Sequence, residues 1–178
     1  MSDADVTRAE FLGRISFRPS AKKLGSCLRF LRLASPGVSH EDLQLALLLA
    51  EGSHISAYGR PVAGCQYILS EGAFLLSGQA DVAEMISRED TAGAAFFIDD
   101  IDAMEEVFPN LSGSDIEHMT QAAMLCATDR DAGMAMARAW LHEGMADYAL
   151  MLEDDDVERL RSKLEDLSFW GKYIYLGK

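Results

Sequence analysis

The chain has 178 residues and carries 16 Lys and Arg against 29 Asp and Glu, a net charge of −13. A chain of this length buries a core without disulfides or a structural metal. So acidic a surface excludes a generic nucleic-acid binder or a protein held on anionic lipid, both of which need clustered cations. Cys27, Cys65 and Cys126 are an odd, widely spaced set with no C-x-x-C pair, which argues against a disulfide framework or a zinc knuckle and for reduced, mostly buried thiols.

Residues 1–19 read as a lead segment, 20–170 as a single domain and 171–178 as a tail. Met1 to Phe17 lacks an apolar run followed by a small-residue cleavage site, so the expected location is cytoplasmic. The first helix starts at Ser20 as N-cap and runs through Ala34, with Leu24, Cys27, Leu28 and Leu31 on one face. Ser35-Pro36-Gly37 stops it. Ser39-His40-Glu41-Asp42 has capping-box form, and the run Leu43 to Ala50 behind it is apolar almost all round, which predicts a central, buried helix. That run is far shorter than the ~20 residues needed to span a membrane. The helix should end at Tyr58-Gly59, where glycine takes the left-handed cap and Pro61 cannot continue.

Past Pro61 the period changes. Val62 to Leu69 predicts a strand and Ser70-Glu71-Gly72 a turn, after which Ala73 to Leu76 is read either as a returning short strand, making a small hairpin, or as a loop. Asp81 to Arg88 reads as a short helix, Ala94 to Ile98 as a strand and Asp102 to Phe108 as a helical turn. Ser112 and Asp115 stand in capping-box register for a helix from about Ser114 to Ala127. Further helices are expected over Asp131 to Glu143 and Asp154 to Leu167. The fold class is mainly α with a minor β element, a compact helical domain carrying a small hairpin or short sheet.

Charge is uneven: residues 1–60 sum to +2 and residues 61–178 to −15. The acidic later part suits a basic protein partner, and the basic face of the first helix (Lys22, Lys23, Arg29, Arg32) reads as meeting that acidic part within the fold or in a dimer. No H-E-x-x-H, nucleophile elbow or phosphate-cradling glycine loop is present, so no catalytic residue, metal ligand or cofactor is assigned. Of the histidines, His118 and His142 read as surface groups. His54, between a buried helix and a Gly-Arg-Pro turn, reads as a residue that holds a loop. The rival reading gives His54 and nearby carboxylates a metal-assisted hydrolase role, and a third makes the chain an oligomeric structural or regulatory protein of phage origin. Asp99, Asp100 and Asp102 supply hard oxygen donors but no EF-hand pattern, and read as a solvated helix start. The nine methionines concentrate after Leu111, where they read first as core filling and second as an adaptable binding face.

The order Ser39-His40-Glu41-Asp42, the leucine run, Glu51-Gly52-Ser53-His54 and Tyr58-Gly59-Arg60-Pro61-Val62 resembles the SocA-like antitoxin family, the Panacea domain. Leu111-Ser112-Gly113-Ser114-Asp115 is similar to that family's Leu-Ser-x-x-Asp helix start, and Leu141-His142-Glu143 to its Ser/Thr-His-Glu segment. Where the family has Gly-Pro-Val this chain keeps Gly72 and has Ala73 in place of the proline, as a divergent member would. The resemblance implies a bacterial, often phage-associated protein that neutralises a toxin by binding it, or presents it to a protease, without catalysis. The motif residues it singles out are Gly52, His54, Tyr58, Gly59, Arg60, Pro61 and Gly72 around the turn, and Leu111, Ser112 and Asp115 at the later helix start.

Overall fold

A computed structural model of the chain describes residues 15–17, 19–78, 107–152 and 174–176. Helix α1 (Ala21–Ala34) is capped by Ser20, whose hydroxyl accepts the Lys23 N–H, and buries Leu24, Cys27, Leu28, Phe30 and Leu31. The Ser35 N–H closes its last turn on the Leu31 carbonyl, and Gly37 takes the positive φ of the turn that follows. Helix α2 (His40–Tyr58) begins at Ser39, which accepts the Asp42 N–H, and ends at Gly59 with φ of 69°. A side chain at that φ would crowd its own carbonyl, so glycine is the residue that ends the helix there without strain. Twelve of its residues are buried, from Leu43 to Ala50 without interruption and on to Glu51, Gly52, His54 and Ile55. Such a helix has no solvent face to spare, and the rest of the fold is arranged around it.

Helix α3 (Gly113–Thr128) is its principal neighbour, with α1 and α4 (Arg130–Ala139) beside it and a sheet across its start. α3 opens with a complete capping box: Ser112 Oγ accepts the Asp115 N–H, and the Asp115 carboxylate accepts the Ser112 N–H. Strands β2 (Tyr67–Ser70) and β3 (Ala73–Leu76) form an antiparallel hairpin pairing Ser70 with Ala73. Glu71 and Gly72 both have positive φ, 50° and 85°, which is the two-residue turn whose twist matches the strands. A second hairpin of the same kind, β4 (Leu141–His142) and β5 (Met145–Ala146) joined by Glu143 and Gly144, adds to β2 and gives the order β3-β2-β5-β4. The outer edge of β3 is blocked by α2, where Gln44 Oε1 accepts the Leu76 N–H at 2.7 Å. A 3-10 turn (Tyr148–Met151) follows, and β1 (Ile15–Phe17) pairs antiparallel with β6 (Ile174–Leu176). Phe17 sets its ring edge-on to Tyr148, tying that pair of strands to the core.

The architecture is the mainly helical one with a minor antiparallel sheet. Two boundaries differ from those the residue pattern predicts. The strand expected from Val62 starts only at Tyr67, because the main-chain N–H groups of Ala63, Gly64 and Cys65 turn onto the Glu51 carboxylate instead of a neighbouring strand. The helix expected to reach Glu143 stops at Ala139, since the residues beyond form the second Glu-Gly hairpin. Cys27 and Cys65 are buried and Cys126 half-buried, all as free thiols. The elements expected at Asp81 to Arg88, Ala94 to Ile98 and Asp154 to Leu167, and all of Asp102 to Phe108 before Val107, lie outside the described residues, as do Asp99, Asp100 and Asp102.

Candidate functional site

The second half of α2 carries two buried ionisable side chains, Glu51 and His54, each with no solvent exposure. Three residues of spacing sets them one turn apart, and the chain that returns after the Gly59 cap supplies partners to both.

Around Glu51 the partners are main-chain donors. Oε2 accepts the Ala63 N–H at 3.0 Å, and Oε1 accepts the Gly64 N–H at 3.0 Å and, at 3.4 Å, the Cys65 N–H and the Tyr67 hydroxyl. Among the described residues no cation forms an ion pair with it. Burial pushes its carboxyl up to about 7, although the loop N–H groups pull the other way. Burial likewise pushes the Cys65 thiol and the Tyr67 and Tyr148 hydroxyls upward, with the Glu51 charge adding to it.

Around His54 the partners come from two directions. Nδ1 lies 2.7 Å from the Arg60 carbonyl oxygen, which can only accept, so the ring carries its proton there. Nε2 then accepts from the Ser114 hydroxyl at 3.2 Å, and Asp115 Oδ1 stands 3.3 Å away. Burial is the largest influence and lowers the imidazole to about 4; the Arg60 carbonyl and Asp115 pull it upward and the Arg60 charge and His118 push it down, so the ring is neutral near pH 7. Asp115 would be raised by burial, but the Lys23 ammonium at 2.8 Å, the Ser112 N–H and the Arg60 guanidinium at 3.3 Å hold it below the ordinary carboxylate range. One carboxylate thus joins α1, the turn after α2 and the start of α3.

The cluster extends outward to His118, whose Nδ1 is 2.8 Å from Ser53 Oγ. Its ring meets those of His54 and Tyr58 edge-on, at centroid separations of 5.1 and 5.6 Å. Burial lowers its imidazole as well. His118, expected on the surface from its acidic sequence neighbours, is therefore half-buried against two rings, whereas His142 is exposed.

The residues that the motif order singles out do not all share one place. His54, Tyr58, Arg60, Ser112 and Asp115 converge in this cluster, and Gly59 is the cap that aims the Arg60 carbonyl back at His54. Pro61 and Leu111 are buried. Gly52 faces another direction, where a β-carbon would stand 2.4 Å from the Trp140 ring, so its lack of a side chain is what lets α2 and the chain after α4 approach. Gly72 is in the hairpin turn. Glu51, Ser114 and His118 belong to the two polar centres without having been singled out, while Lys23, named in the basic face expected to meet the acidic later part, meets it at Asp115. The visible signal for Glu51 was a carboxylate closing a run of buried leucines, a place where an acidic side chain needs partners.

For a metal-assisted hydrolase the donor set does not fit. The Nδ1 side of His54 is taken by a carbonyl, one carboxylate stands near Nε2, and that carboxylate already bears two cations that would repel a third. Among the described residues no group of three or more His, Cys, Asp or Glu side chains is disposed to hold a metal ion. Nor is any described helix long and apolar enough to cross a membrane. Comparison with known proteins adds no relative: no protein-family model, no curated protein and no solved structure matches the chain.

Proposed function

We propose that this chain is an antitoxin-like protein that neutralises a basic protein toxin by direct binding, with no reaction of its own. The observation that carries the reading is the outward set of Met124, Met136 and Met145, exposed by 62, 47 and 45% on α3, α4 and β5 of a protein with net charge −13. Methionine adapts to irregular partners, and a net negative charge attracts and orients a cationic surface. The polar cluster supports the same reading, since His54, Asp115, Lys23 and Arg60 are engaged with one another and with the main chain, which suits a rigid scaffold. The motif order from Ser39 to Val62, with Leu111 to Asp115, adds the likeness to Panacea-type antitoxins.

The test is expression of the product of the adjacent gene, alone and together with this chain. Growth arrest by that product alone, relieved by co-expression and accompanied by co-purification of a stoichiometric complex, is the expected result. The double variant Met124→Arg/Met136→Arg should lose relief while keeping its melting temperature. A harmless neighbour, or full relief by the double variant, contradicts the proposal.

A further inference from the structure

A cleft of about 220 Å³ lies beside the second hairpin, bordered by β1, the loop before β2 and the 3-10 turn. Phe17, Tyr148 and Leu152 give it apolar walls, and Gln66, His142 and Asp147 are its polar side chains. The walls are braced: the Tyr148 hydroxyl donates to the Cys65 carbonyl at 2.6 Å, and the Phe17 ring stands edge-on to Tyr148 at 4.9 Å. Met145, one of the three outward methionines, borders the same cleft.

Asp147 is the single carboxylate among the lining residues, and no Lys or Arg is among them. Its main chain is fixed at both ends, with its N–H donating to the Trp140 carbonyl at 2.8 Å and its carbonyl accepting the Leu150 N–H at 3.0 Å. Oδ1 accepts the Ala149 N–H at 2.8 Å, which leaves Oδ2 with no partner among the described residues, and no described cation forms an ion pair with Asp147. A half-buried carboxylate with one oxygen committed and the other open is a preset acceptor for a cation, and aromatic rings beside it attract the same charge. We infer that this cleft receives an arginine side chain of a basic protein partner, held by Asp147 Oδ2 and the Phe17 and Tyr148 rings.

Arginine suits the walls as well as the charge. Its methylene stem packs on apolar surface such as Leu152, and its flat guanidinium can lie against a ring while one N–H reaches a single open oxygen. The partner is the basic toxin of the reading above, on which this inference rests, and the net charge of −13 favours its approach. Met145 belongs both to the cleft and to the outward methionines, so a partner surface that covers Met145 also reaches the cleft mouth.

The experiment is a titration of the full, isotope-labelled chain with Nα-acetyl-arginine amide, read by amide NMR at about pH 7.5, where carboxylates are ionised and guanidinium groups charged. Shifts should concentrate at Gly64, Gln66, Asp147 and Ala149 and saturate, and the uncharged isostere Nα-acetyl-citrulline amide should bind about tenfold more weakly. Asp147→Asn still offers an oxygen to the Ala149 N–H, so it should keep its melting temperature while losing about tenfold in affinity for the arginine probe. No saturable binding, shifts spread away from the cleft, or equal binding of the citrulline probe overturns the inference on the wild-type chain, whether or not the variant folds. In the co-expression assay Asp147→Asn should relieve growth arrest less than the wild type. Full relief by that variant overturns the arginine site and leaves the antitoxin reading standing, whereas a harmless neighbour beside intact arginine binding contradicts that reading alone.

Discussion

Glu51 and His54 occupy the same helix one turn apart, equally buried, and the two halves of the site around them are built differently. On the Glu51 side the chain supplies main-chain N–H groups from one short loop, so a carboxylate is accommodated without importing another charge. The His54 side uses side chains from three elements, and bringing Asp115 close requires Lys23 and Arg60 to balance it. Burial favours the neutral form of each group, which raises the acid to about 7 and lowers the base to about 4. The difference teaches that a local solution depends on loop shape, while a charged solution depends on long-range assembly.

Variants on the charged side should cost most. Asp115→Ala removes the carboxylate that faces Lys23 and Arg60 and the acceptor for the Ser112 N–H, and should lower stability by about 3–5 kcal/mol in urea unfolding. Asp115→Asn should recover part of this, because its amide oxygen can still accept the Ser112 N–H. A loss under about 1 kcal/mol for Asp115→Ala would show that the charges are not coupled as their geometry requires. Gly52→Ala acts on the packing of α2 against Trp140. Its methyl group would force the Trp140 ring aside at an expected cost of about 1–3 kcal/mol, with a shift of tryptophan emission. Gly59→Ala places a side chain at φ of 69° and should cost about 1 kcal/mol, loosening the cap that orients the Arg60 carbonyl. Tyr67→Phe removes one long hydroxyl donor from Glu51. It should change stability by about 0.5–1.5 kcal/mol and move the Glu51 midpoint upward, since only the ionised form gains from that donor.

Features written in local sequence were legible. Ser20, Ser39 and Ser112 mark helix starts through their own hydroxyls, Gly59 marks the end of α2, and Glu71-Gly72 marks a hairpin, each by a rule that involves a few consecutive residues. Glu143-Gly144 repeats that dipeptide, but Ala135, Met136, Ala137 and Ala139 before it are good helix formers, and their propensity extends the expected helix through the true turn. The strand expected at Val62 fails for a different reason. Its β-forming composition is overruled by a carboxylate on another element that takes up the loop's N–H groups. The same limit applies to the site: His54 and Asp115 stood out by motif and Lys23 by its basic face, whereas His118 joins them only through tertiary packing.

The opposed protonation of the two buried groups can be read from stability against pH. Glu51, raised from an ordinary 4.5 to about 7, contributes stability that is fully present below pH 4.5 and lost as pH rises through about 7. His54, lowered from 6.5 to about 4, contributes stability that is fully present above pH 6.5 and lost as pH falls through about 4. Each amounts to about 3 kcal/mol, and across the shared range the two offset one another in the wild-type chain. Unfolding free energies of wild type, Glu51→Gln and His54→Gln should therefore be compared from pH 4.5 to 6.5. Relative to wild type, Glu51→Gln should gain stability as pH rises and His54→Gln should lose it. Two variants whose curves run parallel to the wild type would contradict the assignment of neutral, burial-shifted forms to both residues.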